Sequence, residues 1–234
     1  MYTSNRLYHI VEKHAVIRTL RSVAWWFLDI LLPPSSHEAL WRQKDALEKI
    51  SHCLRAEATR EAFTSAVFAY KDPLIRSLVW DLKYRGNTDA ARLCGELLFD
   101  MLAEELADRK LFSSIVRTLL LPIPLSKRRE RERGFNQANL IVRELVRLDE
   151  GNFFEAREDV LVKIKNTRAQ ADLSREKRLE NLRGVFQVKK PELVRGRVVL
   201  LIDDVTTTGA TFREARRELR KAGAREVLAY AVAH

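Results

Sequence analysis

Two adjacent carboxylates, Asp203 and Asp204, lie between an aliphatic run and a threonine-rich turn in the stretch VLLIDDVTTTGAT, from Val199 to Thr211. The aliphatic run has the composition of a buried parallel strand. The two acids are therefore expected at its carboxyl end, where open α/β sheets place their ligands. Thr207, Thr208, Gly209, Ala210 and Thr211 then form a loop at a helix start. Free backbone N–H groups and threonine hydroxyls at such a place suit a phosphate. The plain alternative is a strand ending in a solvated acidic turn.

The stretch resembles the phosphoribosyl-pyrophosphate motif of the type I phosphoribosyltransferases. That motif has four apolar residues, two acids, one apolar residue, two variable residues and a Thr-Gly-small-Thr turn. The resemblance implies that Asp203 and Asp204 contact the ribose 2′ and 3′ hydroxyls. It also implies that the loop Thr206, Thr207, Thr208, Gly209, Ala210 and Thr211 holds the 5′-phosphate. The reaction class is displacement at the anomeric carbon, where oxocarbenium character and a departing pyrophosphate both need stabilisation. Mg²⁺ would bridge pyrophosphate and ribose oxygens and retain several waters, with Asp203 and Asp204 as its indirect protein contacts.

The elements that must position these residues alternate between strand and helix, which implies a mostly parallel sheet covered on both faces. Phe63–Tyr70, Ile115–Leu121, Val160–Ile164, Gly184–Val188, Arg197–Ile202 and Glu226–Val232 read as strands. Helices are expected from Asp72 and Pro73 to Tyr84, over Asp89–Arg109, from the Arg133–Gln137 segment to Arg147, and over Ala210–Ala222. The first of these has proline in its first turn. Residues 1–60 read as a helical appendage and 61–234 as the α/β domain. Within the appendage, Arg6–Leu32 is helical in pattern, Pro33 and Pro34 stop it, and a second helix spans His37–Thr59.

A second set of residues narrows the resemblance to the ComF family, phosphoribosyltransferase-like proteins linked to DNA uptake and competence. It comprises Pro122, Ile123 and Pro124 with their leucine neighbours, Arg129, and the run Arg133-Gly134-Phe135-Asn136-Gln137-Ala138. Lys83-Tyr84-Arg85-Gly86, Gln170, Arg178 and the closing Ala222-Gly223-Ala224 also match. The resemblance covers residues 63–234. It implies a pyrophosphate loop at Pro122–Pro124 and a covering lid at Thr167–Arg183. Arg133, Asn136, Gln137, Gln170 and Arg178 become candidate contacts to pyrophosphate. Solvated surface charge is the alternative for Lys127, Arg128 and Arg131, because Glu130 and Glu132 are interleaved. Lys83, Tyr84 and Arg85 read as a helix end, with contact to a base or a phosphate left open. The family's zinc ribbon has no counterpart here: His37, His52 and Cys53 lack the paired spacing of a tetrahedral site, so no zinc is expected.

The chain has 234 residues and a net charge of +10, which favours polyanionic partners but does not choose between them. Those implied are phosphoribosyl pyrophosphate or a nucleotide, single-stranded DNA and a helicase-type competence partner. Two cysteines, Cys53 and Cys94, give no disulfide framework, and a reducing cytoplasm is the expected setting. The apolar run Val23–Leu32 is far short of the roughly 20 residues of a membrane helix, so no membrane span is expected. Catalysis, non-catalytic service in DNA uptake, and sensing of phosphoribosyl pyrophosphate all remain open on these residues.

Overall fold

The computed structural model describes residues 37–59, 61–108, 117–165 and 183–234. The order of elements is α1 (Glu38–Trp41), α2 (Ala46–Ser51), β1 (Thr64–Phe68), α3 (Pro73–Trp80), α4 (Thr88–Asp108), β2 (Thr118–Pro122), α5 (Lys127–Arg133), α6 (Gln137–Leu148), β3 (Phe154–Ala156), β4 (Leu161–Lys163), β5 (Phe186–Val188), β6 (Val198–Val205), α7 (Ala210–Lys221) and β7 (Glu226–Ala233). A π-turn, Asp81–Arg85, continues α3.

Five strands form one parallel sheet in the order β1-β7-β6-β2-β3. The strand β6 is central, and all of Val198–Ile202 is buried. This is the α/β fold expected from the sequence. Strand side chains alternate between faces, so each face has its own core. Leu200 and Ile202 join Leu78, Leu93, Leu98, Ile141 and Leu145 on the helical side. Val199 and Leu201 join Phe212, Leu219, Leu161 and Phe186 on the side of α7 and an antiparallel ribbon, β4–β5. On α6 the buried positions Ala138, Ile141, Val142 and Leu145 recur at helical spacing. Each large aliphatic side chain so buried contributes about 1.5–3 kcal/mol.

Local chemistry sets the boundaries. Asp72 caps α3 by accepting from the amide of Leu74, at 2.9 Å, with proline in the first turn. Asn87 accepts from the amide of Ala90 and starts α4. Pro122 ends β2, and the amide of Ile123 makes the last bond to β6, through the Ile202 carbonyl.

Three differences from the sequence reading have physical causes. The helix expected over His37–Thr59 is two short helices. The Arg92 guanidinium takes the Trp41 carbonyl at 3.1 Å, the group that would accept from the next turn of a continuous helix. The charged run Lys127–Arg133 is a helix with no buried residue, started by the Ser126 hydroxyl on the Arg129 amide and ended by Gly134. The strand Phe154–Ala156 is too short to carry a readable alternation, and pairing with β2 defines it. The segments 6–32 and 167–182, the second with Gln170 and Arg178, lie outside the described residues.

Candidate functional site

The acid pair is part of the strand. Register with β7 continues through Asp203 opposite Ala231 and Val205 opposite Ala233. Alternation then sends the stems of Asp203 and Asp204 toward opposite faces of the sheet. Asp204 is buried with the even-numbered residues of the helical side. Its carboxylate Oδ2 lies 3.1 Å from the Lys83 ammonium, also buried, close enough for an ion pair but off the line of a hydrogen bond. Its Oδ1 accepts from the Val205 amide at 2.8 Å. Burial opposes ionisation of Asp204, yet Lys83 outweighs it and holds the carboxyl below the usual carboxylate range.

Asp203 keeps part of its surface open. Its Oδ1 accepts from the Asp204 amide at 2.9 Å. Loss of hydration, and then the negative charge of Asp204, push its carboxyl well above the ordinary value. The two acids are therefore unequal: Asp204 is buried against an internal cation, and Asp203 is a partly open carboxyl that feels its charge.

Lys83 reaches Asp204 because of the π-turn. An α-helix running on from Trp80 would advance each side chain by a fixed angle, and one extra residue in the turn re-aims them. Lys83 turns inward while Tyr84 and Arg85 stay at the surface. Gly86, at φ +61°, closes the turn, and the Phe135 ring sits against it, 2.9 Å from where a Cβ would stand. That contact joins the Lys83–Gly86 segment to the Arg133–Gln137 segment.

Asn136 makes the next link. Its Oδ1 accepts from the Ala138 amide at 3.0 Å as the cap of α6, and its amide donates to the Ile123 carbonyl at 3.1 Å. The loop Pro122, Ile123 and Pro124 is tied in this way to the start of α6. Gln137, buried, accepts from Arg133 at 3.0 Å. Asn136 and Gln137 thus hold the loop and Arg133 in place, and Arg133 is the half-exposed cation.

On the other flank Thr206 is buried and its amide donates to the Ala233 carbonyl at 2.9 Å. Thr207, Thr208 and Thr211 are half-buried. Gly209 caps α7 at φ +68° with no side-chain cap, and the Thr208 hydroxyl accepts from the Ala210 amide at 3.4 Å. Apart from that Ala210 amide, which Thr208 takes, the first turn of α7 presents its amides where an anion can meet them. Glu61, which sequence reasoning passed over, pairs with Arg213 beside this turn.

Beyond the acids, Lys127, Val162, Lys163, Ile164 and Lys189 line a pocket of about 420 Å³. Burial and the nearby Arg129 pull Lys163 down to about 8, with Asp203 opposing. Arg129 is itself lowered by burial and by Arg133. No group of three or more His, Cys, Asp or Glu among the described residues could hold a metal by itself. His37 bonds Ser77 at 2.8 Å, and burial pushes the Cys53 thiol up to about 12, with Asp72 adding to it. No described helix is long and apolar enough to cross a membrane.

A phosphoribosyl transferase domain profile matches residues 132–234. Competence protein F of Haemophilus influenzae is 38% identical over 117 residues, 49% of this chain and 49% of that protein. Competence protein ComFC of Bacillus subtilis is 30% identical over 160 residues, 68% of this chain and 58% of that protein. The chain belongs to the ComF family. The DNA utilization protein YhgH of Escherichia coli O6:H1 is 31% identical over 157 residues, 66% of this chain and 65% of that protein. The chain thus spans about half to two thirds of the length of the curated relatives it matches. Of the ComF signature residues, the Lys83–Gly86, Pro122–Pro124 and Arg133–Gln137 segments meet at the acid end of the sheet, while Ala222-Gly223-Ala224 precedes β7 at the opposite end.

Sequence reasoning missed Lys83 as a partner of Asp204. The residue was visible as a matching position, but its role depends on a π-turn that no spacing rule announces.

Proposed function

We propose that this ComF-family chain binds phosphoribosyl pyrophosphate with Mg²⁺ at the β6–α7 end of the sheet, in the service of DNA uptake. The observation that supports the reading most is the unequal acid pair beside an uncapped helix start. The open first-turn amides of α7 suit a 5′-phosphate. Asp203, with part of its surface free, suits a ribose hydroxyl. Asp204, committed to Lys83, serves as its fixed electrostatic neighbour. Arg129, Arg133 and Lys163 supply positive charge where a pyrophosphate would lie.

The donors present fit Mg²⁺ in an indirect role. One partly open carboxylate leaves most coordination positions to phosphate, hydroxyl and water oxygens, the arrangement this ion prefers. When bound, it would neutralise charge on the pyrophosphate. The DNA-uptake role rests on what the relatives are named for: competence in two of them and DNA utilization in the third. Two free cysteines suit a reducing, cytoplasmic setting. A helicase-type competence partner belongs to the same proposal.

Calorimetric titration of the chain with phosphoribosyl pyrophosphate, with and without Mg²⁺, tests the reading. The Asp203→Ala/Asp204→Ala variant is the control. Mg²⁺-dependent heat that disappears in the variant is the expected result. Wild-type protein that gives no heat in either condition contradicts it.

A further inference from the structure

The π-turn that aims Lys83 at Asp204 is gripped on its other side by the first helix. Trp41, on α1, is fully buried, and its indole Nε1 donates to Asp81 Oδ2 at 2.7 Å. Asp81 is fully buried as well and opens the turn. Its backbone carbonyl accepts from the amides of Gly86 and Asn87, and the bond from Gly86 is the one that makes this a π-turn. One residue therefore closes the turn with its main chain and ties it to α1 with its side chain.

Burial along the turn shows why the tie matters. Asp81, Leu82 and Lys83 are buried in succession, whereas an amphipathic helix buries one stripe. Residues two apart on a helix do not share a face, so Asp81 and Lys83 need polar partners on two different elements. Trp41 supplies one and Asp204 the other. The Arg85 guanidinium, 3.5 Å from Asp81 Oδ1, adds charge, but that oxygen accepts no hydrogen bond. Without the indole, a buried carboxylate keeps one half-exposed cation, and turning Asp81 toward water becomes favourable. Such a rotation moves Lys83 off Asp204. Helix α1 is itself fixed to both neighbours. His37 Nδ1 lies 2.8 Å from the Ser77 hydroxyl of α3, and on α4 Arg92 holds the Trp41 carbonyl at 3.1 Å. Asp89, also on α4, accepts from Arg42 at 3.1 Å.

We propose that Trp41 and Asp81 are positioning residues for the acid pair: their hydrogen bond locks the π-turn in the register that presents Lys83 to Asp204. The charge of Asp204 is thereby made conditional on α1, a helix outside the residues that the transferase profile matches. The consequence for phosphoribosyl-pyrophosphate affinity rests on the reading above. The consequence for Lys83 does not.

Amine acetylation of the full native chain, read residue by residue by mass spectrometry, tests the lock. Lys221, exposed on α7, is the internal reference. Trp41→Phe keeps a ring and removes the donor. It is expected to speed acetylation of Lys83 roughly ten- to hundred-fold, the effect on a local opening of losing one hydrogen bond to a charged group. Lys221 is expected to react as before. Leu98→Ala opens a cavity in the same core and lowers the denaturation midpoint, yet is expected to leave Lys83 as protected as in wild type. Trp41→Phe/Asp81→Leu leaves neither buried partner unpaired and guards against plain misfolding. Lys83 is expected to react in it as in Trp41→Phe. Asp81→Asn keeps an acceptor for the indole and is expected to keep Lys83 protected. Slow acetylation of Lys83 in both Trp41 variants overturns the lock, and so does an equal rise in Leu98→Ala. Calorimetry with phosphoribosyl pyrophosphate and Mg²⁺ extends the test to the ligand, where affinity is expected to fall in Trp41→Phe and to hold in Leu98→Ala. A wild type that gives no heat counts against the ligand reading alone, because the acetylation rates still decide the lock.

Discussion

The two flanks of the candidate site are built from different materials. On the β6–α7 flank the backbone presents the chemistry: open amides, a glycine at φ +68° and short threonine side chains. On the flank made by α3, its π-turn and the start of α6, long side chains present it, and each is held by another. Lys83 is held by Asp204, Arg133 by Gln137, and the Pro122–Pro124 loop by Asn136. A backbone cradle tolerates changes in its surroundings as long as φ and ψ are kept. A side-chain lattice fails when any one member leaves a partner unpaired. Damage is therefore expected to spread further on the second flank.

The largest effect is expected from Lys83→Met. The variant keeps an aliphatic stem but leaves Asp204 charged and buried without its cation. Breaking such a pair costs about 3–5 kcal/mol. Chemical denaturation reads this as a lower midpoint, and adding Asp204→Asn is expected to recover most of it. An unchanged midpoint in Lys83→Met would show that Asp204 does not depend on the pair.

A smaller effect separates two glycines. Both Gly86 and Gly209 have positive φ, at +61° and +68°. An added Cβ at Gly209 meets nothing closer than 3.5 Å, a Glu61 side-chain carbon, while at Gly86 it meets the Phe135 ring at 2.9 Å. Gly86→Ala is expected to destabilise by about 1–3 kcal/mol more than Gly209→Ala, the usual cost of overpacking. Equal losses in denaturation would remove the contrast between the flanks.

The smallest effect concerns the edge of the β6–α7 flank. Glu214 on α7 accepts from the Gly184 amide at 2.6 Å, just before β5, and pairs with Arg217. Burial raises its carboxyl, but Arg217 and the Gly184 amide outweigh this and hold it below its ordinary 4.5. A lowered folded value means that the contribution is present above 4.5 and lost as pH falls through that lower value. Hydrogen exchange at the Gly184 amide is expected to speed up in that acid range relative to its intrinsic rate. Glu214→Gln is expected to remove the pH dependence.

Much of the fold was legible because its signals are local. Aliphatic β6, the Asp72-Pro73 start of α3 and the apolar stripe of α4 each announce themselves within a few residues. The Asp203–Thr211 segment was legible for the same reason, since strand, acids and turn are contiguous. The unequal fate of the acids was not legible. It arises because adjacent strand residues face opposite sides of the sheet and because Lys83 arrives from a turn more than a hundred residues earlier in the sequence. The role of Asn136 was hidden likewise, since its partner is the carbonyl of Ile123. Helix α5 escaped because, with no buried face, it carries no apolar period to read.

The division of labour between the acids is tested most directly by calorimetry on two single variants, Asp203→Asn and Asp204→Asn, titrated with phosphoribosyl pyrophosphate in Mg²⁺. Asp203→Asn is expected to lose binding while keeping its wild-type denaturation midpoint. Asp204→Asn is expected to lose stability first, because Lys83 is left buried and unpaired. Wild-type affinity in Asp203→Asn would contradict the assignment of that carboxylate to the ligand.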